Sequence, residues 1–153
     1  MSHARKQIRT AFKEILKGGR NWKTVLETRI IPTRQVMPFL MVFSDSEPTI
    51  GLNVQNPNIY ERDLSISVAA VVKIGNDTTT LEDQMDVIAI EIEEKLTTTA
   101  LVAKIPNKSI SLTLDNQSYT VVVDVDDNID YAEVLINWTV KYFTQEGQPE
   151  TLL

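Results

Sequence analysis

From Leu64 to Ile74 the chain alternates without a break. Leu64, Ile66, Val68, Ala70, Val72 and Ile74 fall on one side, and Ser65, Ser67, Ala69, Val71 and Lys73 on the other. A period of two over this length is a β-strand, and Gly75-Asn76-Asp77 end it. The flanking segments keep a different period. Ile8, Ala11, Phe12, Ile15 and Leu16 follow helical spacing and predict an amphipathic helix over Ser2 to Lys17, closed by Gly18-Gly19. Thr79 with Glu82 and Thr80 with Asp83 offer a capping box, which opens a second helix striped by Leu81, Met85, Ile88, Ile92 and Leu96.

The other strands read more briefly. Val25 to Pro32 and Pro38 to Phe43 come before the long alternation, and Ser44 to Glu61 between them and it reads as a polar loop. Ile110, Leu112 and Leu114, then Tyr119, Val121, Val123 and Val125, form a hairpin turning at Asp115-Asn116. Ala132, Val134, Ile136, Trp138, Val140 and Tyr142 make a last strand. The order is helix, three strands, helix, three strands. It predicts an α+β fold: a mostly antiparallel sheet of five to six strands with two helices packed on one face. A single domain over 1–143 and a flexible C-terminal tail over 144–153 are expected.

Composition removes several function classes. The 153 residues suit one domain, and the absence of cysteine excludes disulfides, thiolate metal sites and a cysteine nucleophile. The charged start MSHARKQIR lacks the apolar core of a signal peptide, and no long apolar run suggests a membrane span. These features point to a soluble protein made in the cytoplasm. The only histidine, His3, sits in the terminus, where a general base would be poorly positioned. None of the five glycines belongs to a phosphate-cradling pattern. The expectation is that the chain is not an enzyme and carries no cofactor.

Asp124, Asp126, Asn128 and Asp130 alternate as calcium ligands would, but Ile129 and Leu135 stand where a calcium loop needs glycine and glutamate. A solvated loop between strands is the better reading, so no metal site is expected.

Charge is more informative by distribution than by its net value of −6. Basic residues crowd between Arg5 and Arg34, opposed only by Glu14 and Glu27, while acids crowd between Asp77 and Glu94 with no base among them. On the back of the second helix, Val87 and Ile90 fall among Asp83, Asp86, Glu91 and Glu94. Scattered surface apolars are common, but an apolar pair in an acidic face also suits a subunit contact. The first helix has a basic back (Lys6, Lys13, Lys17), so unlike faces can meet head to tail. Contacts of that kind close into rings or run on as filaments. The expected interface residues are Lys6, Lys13, Lys17, Asp83, Val87, Ile90 and Glu94.

The order of these parts resembles the tail terminators of long-tailed, non-contractile bacteriophages, the lambda minor tail protein U-like family. The residues that carry the likeness are the N-terminal helix, an Arg29-Ile30-Ile31-Pro32 lead-in and the Pro38–Phe43 strand. They continue with the Leu64–Ile74 strand, the helix opening LEDQMD, the acidic loop and the closing strand YAEVLINWTVKY. The resemblance implies a homo-oligomeric, six-fold ring that caps the tail tube, ends its growth and presents a surface for head attachment. The implied location is the head-proximal end of the virion tail, assembled in the host cytoplasm.

Its implied partners are copies of itself, the major tail-tube protein and a head-completion or connector protein; no membrane is involved. Genomic DNA would pass through without sequence-specific binding. Asp45, Glu47, Asn53, Gln55 and Asn58 in the polar loop are the expected tube or neighbour contacts, and Asp124, Asp126 and Asp127 the expected channel-facing acids. Related neck and tail-completion proteins share much of this layout and tail-tube proteins are more distant structural cousins, so another neck or tail-completion protein, or a tail-tube subunit, is the alternative.

Overall fold

A computed structural model describes residues 3–18, 22, 24–29, 36–51, 57–74, 81–124 and 129–153, with side chains for all but 123, 124, 129 and 130. In chain order the elements are α1 (Ala4–Lys17), β1 (Thr24–Leu26), β2 (Phe39–Ser46), β3 (Thr49–Gly51), β4 (Ile59–Lys73), α2 (Leu81–Lys95) and α3 (Thr98–Lys104). Then come β5 (Ser111–Asp124), β6 (Ile129–Gln145) and β7 (Gln148–Leu152). The α+β class is as expected, with one helix and one or two short strands more than the sequence suggested.

The seven strands form one sheet whose main path runs β1-β2-β4-β6-β5, with β3 beside β4 and β7 beside β6. Among the described residues only the β1–β2 pair is parallel; the other pairs are antiparallel. The long alternation explains the centre. Along β4 and β6, Leu64 faces Val140, Ile66 faces Trp138, Val68 faces Ile136 and Ala70 faces Val134. All are buried beneath α1, α2 and Leu101 of α3. Phe12 of α1 meets Trp138 edge-on, with ring centroids 6.1 Å apart and planes at 86°. Such a pair adds about 0.5–1.5 kcal/mol to what burial contributes.

The other face is not wholly solvated. Phe39, Met41, Ala69 and Val71 form a second small core, flanked by Leu26, Met37, Phe43, Tyr131 and Leu135. The unbroken apolar run Pro38–Phe43 is what a strand covered on both faces requires.

Five expectations change. The hairpin expected to turn at Asp115-Asn116 is one continuous strand, β5: β6 is long enough to pair with all of it, so Asp115 is absorbed as a register shift between Leu114 and Asn116 and makes no turn. The strand expected over Val25 to Pro32 is, among the described residues, a strand only over Thr24–Leu26. The stretch 44–61 is not simply a loop: β2 extends through Ser46, Thr49–Gly51 pair with β4, and β4 begins at Ile59. Thr98–Lys104 fold as α3, capped by Thr97, whose Oγ accepts from the Ala100 N–H at 3.1 Å. The expected tail is a strand. Gly147, at φ 77°, turns the chain back in a conformation that favours glycine. Gln148 then pairs with Gln145, and Thr144 with Leu152. Leu152 is buried in the main core, and the Gln7 side chain donates to the Glu150 carbonyl at 2.7 Å. At the other terminus, α1 ends at Gly18 with φ −79°, so the closing turn does not use the left-handed backbone.

Candidate assembly surface

α2 packs across β6 and leaves β5 largely open. Its inward stripe of Leu81, Met85, Ile88, Ala89 and Ile92 is buried. The reverse face carries Val87 and Ile90, 54 % and 55 % exposed, beside exposed Asp83, Asp86 and Glu94. The apolar-in-acid pattern read from the sequence therefore lies on the surface.

Two open grooves flank the helix. One, of about 600 Å³, runs between Pro38, Val72, Lys73 and the side of α2 bearing Asp83, Gln84, Val87 and Ile88. The other, of about 610 Å³, lies between α2 and β5 and is lined by Leu81, Glu82, Asp83, Met85, Asp86, Tyr119 and Val121. Asp83 borders both. Burial, then the negative charge of Asp86, pushes the Tyr119 phenol above its ordinary range. Further along, Gln117 donates to Glu93 across the same gap.

α1 lies in the same helical layer and touches α2. Lys6 and Lys17 are exposed on its back. Lys13 is half-buried, with its ammonium 3.8 Å from Glu27, so part of its charge is used within the subunit. The helical layer therefore presents a basic side at α1 and an acidic side at α2.

The residues of the 44–61 segment occupy different surroundings. Glu47 points inward. One oxygen accepts from Arg62 at 2.8 Å and the other from the Tyr142 hydroxyl at 2.7 Å, while Arg62 Nε donates to Thr144 at 2.8 Å. Burial first, and then the bond to Glu47, raise the Tyr142 phenol well above its ordinary range. Asp45 lies on the opposite face of the sheet, accepting from Arg29 at 2.7 Å and from Ser67 at 3.0 Å. Arg29 also sits over the Phe43 ring, 4.2 Å from its centroid. The half-buried Glu133 lines the same cleft, and burial raises its carboxyl against the opposing pull of Arg29. Asn58 is tied to Glu146 through its backbone and its side chain. Asn53 and Gln55 lie outside the described residues, as do Asp126 and Asp127. Asp124 ends β5, its side chain likewise outside the description.

The Glu47–Arg62–Tyr142 corner was missed in the sequence. Arg62 and Tyr142 stand opposite each other in register, and Arg62 continues the inward phase of Leu64. An arginine in that phase was the available signal.

Among the described residues, no group of three or more His, Asp or Glu side chains is placed to hold a metal ion. No helix there is long and apolar enough to cross a membrane. What the surface offers is exposed apolar area framed by charge, which suits protein contact.

No family model and no curated protein matches the sequence. Among solved structures, a chain from the virion of a native gene transfer agent particle overlaps at a TM-score of 0.46 with 9 % identity. The match covers 90 % of this chain and 97 % of that one.

Proposed function

We propose that the chain is a structural, non-enzymatic phage tail protein that closes into a hexameric ring, caps the tail tube and offers a surface for head attachment. One structural observation supports an assembly role above others. Val87 and Ile90 stand exposed in the acidic back of α2, while Lys6 and Lys17, also at the surface, mark a basic side on α1. Leaving apolar area to water on an otherwise well-packed helix makes sense when a neighbour covers it. Opposite charges on two helices of one subunit favour a head-to-tail contact and fix its register. The terminator reading itself rests on the sequence resemblance.

Lys13 contributes less to this seam than Lys6 and Lys17, because Glu27 already engages it. In the 44–61 segment, Glu47 acts as an internal strut, which leaves Asp45 and Asn58 as the described candidates for tube contact. A net charge of −6 suits a channel through which DNA slides rather than sticks, with Asp124, Asp126 and Asp127 as the proposed lining.

Tube capping tests the reading. Purified protein added to polymerising tail-tube subunits should arrest tube growth and appear as extra density at one end in electron micrographs. Growth that continues unchanged rejects the capping role. Filaments formed by this chain alone support the tube-subunit alternative.

A further inference from the structure

We infer that the free edge of β5, together with the acidic flank of α2, receives an extended, basic strand from a different protein. β5 ends the main path of the sheet, and β6 is its strand partner among the described residues. Edge strands in stable proteins are usually shortened, bulged, or guarded by lysine or proline. β5 spans 14 residues and contains no lysine, arginine or proline. A register shift interrupts pairing between Leu114 and Asn116, but from Gln117 onward the ladder with β6 runs residue for residue. Gln117–Val122 is therefore a regular, open edge with a row of backbone donors and acceptors.

Its surroundings select the guest. On the helix side, Tyr119 and Val121 are 47 % and 52 % exposed because α2 lies over β6 instead. Glu82, Asp83 and Asp86 line the groove above them. A strand added beside β5 would set alternate side chains against that groove. Apolar side chains there would cover Tyr119 and Val121, and lysine or arginine would meet the carboxylates.

Among the described residues, a second copy of this chain offers no basic edge strand. The short strands at the sheet's periphery, β1, β3 and β7, carry no lysine or arginine, and α1 presents its basic residues from a helix. The guest is an extended segment of another protein, alternating basic and apolar residues. This inference stands apart from ring closure.

Hydrogen–deuterium exchange on the full chain tests it, using a synthetic peptide alternating lysine and valine and a counterpart alternating glutamate and valine. The lysine peptide should slow exchange of the Gln117–Val122 amides, and the glutamate peptide should not. Asp86→Lys combined with Val121→Lys should weaken lysine-peptide binding by roughly tenfold or more, the worth of a few exposed contacts. The thermal midpoint should stay unchanged; if it falls, Glu82→Lys with Asp86→Lys repeats the test on helix surface positions alone. Absent protection, protection elsewhere, or equal protection by both peptides overturns the proposal. Protection of the same amides in the protein alone, growing with concentration, would assign the edge to a second copy and overturn the foreign guest while leaving ring formation intact.

Discussion

Two acidic neighbourhoods of this molecule use their charges in opposite ways. At the foot of the sheet, Glu47 is turned inward and both its oxygens are engaged, by Arg62 and Tyr142. Along the α2–β5 flank, Glu82, Asp83 and Asp86 remain at the surface beside apolar side chains that no described residue covers. The first arrangement consumes charge to fix the junction of β4, β6 and the segment after β2. The second leaves charge and apolar area available to a neighbour. A carboxylate's part in this protein is set by where its strand or helix places it, and not by the acidity of its surroundings in sequence.

The contrast can be broken most severely at the corner. Glu47→Ala would leave Arg62 and Tyr142 without their partner, costing about 3–5 kcal/mol, as removal of one member of a buried ion pair does. Chemical denaturation checks this; a loss below about 1 kcal/mol would move Glu47 to the class of surface charges. Leu152→Ala comes next. Because β7 seats Leu152 in the main core, the cost should be about 2–5 kcal/mol. A stability matching wild type would restore the view of 144–153 as a loose tail.

A smaller effect should appear at the start of α1. His3 Nδ1 accepts from the Arg5 N–H at 3.2 Å, an N-cap that only the unprotonated nitrogen can make. Burial, then the charge of Arg5, holds its pKa below the ordinary 6.5, against the pull of Glu47. The folded state thus binds this proton less readily than the unfolded state. The cap's stability is complete above about 6.5 and is lost as pH falls through the lower folded value. The step should be about 0.5–1 kcal/mol and should vanish in His3→Asn, which caps without titrating. An unchanged step in that variant assigns the effect to other groups. On the open flank, Asp83→Ala and Val87→Ala should shift monomer stability by no more than about 0.5 kcal/mol. A larger loss would place these side chains in the fold's own support.

Much of this architecture was legible because its period was strong. The Leu64–Ile74 alternation and the two apolar helix stripes identify β4, α1 and α2, and each buries the face its pattern names. The misses have physical causes. Thr97-Thr98-Thr99 masks the start of α3, since threonine is a weak helix former whose capping ability depends on context. Gln-Glu-Gly-Gln reads as a tail until Leu152 finds its place in the core. For the assembly surface, Val87 and Ile90 could be seen by helical projection alone. The uncovered edge of β5 could not, because strand order in the sheet depends on long-range pairing that no local pattern records.

Native mass spectrometry over a concentration series, on wild type and on Val87→Lys with Ile90→Lys, is the most direct measurement. A closed six-subunit wild-type species, and a folded variant that stays monomeric, is the predicted result. Open-ended polymers, or a wild-type monomer at every concentration even with tail tubes present, would contradict the ring.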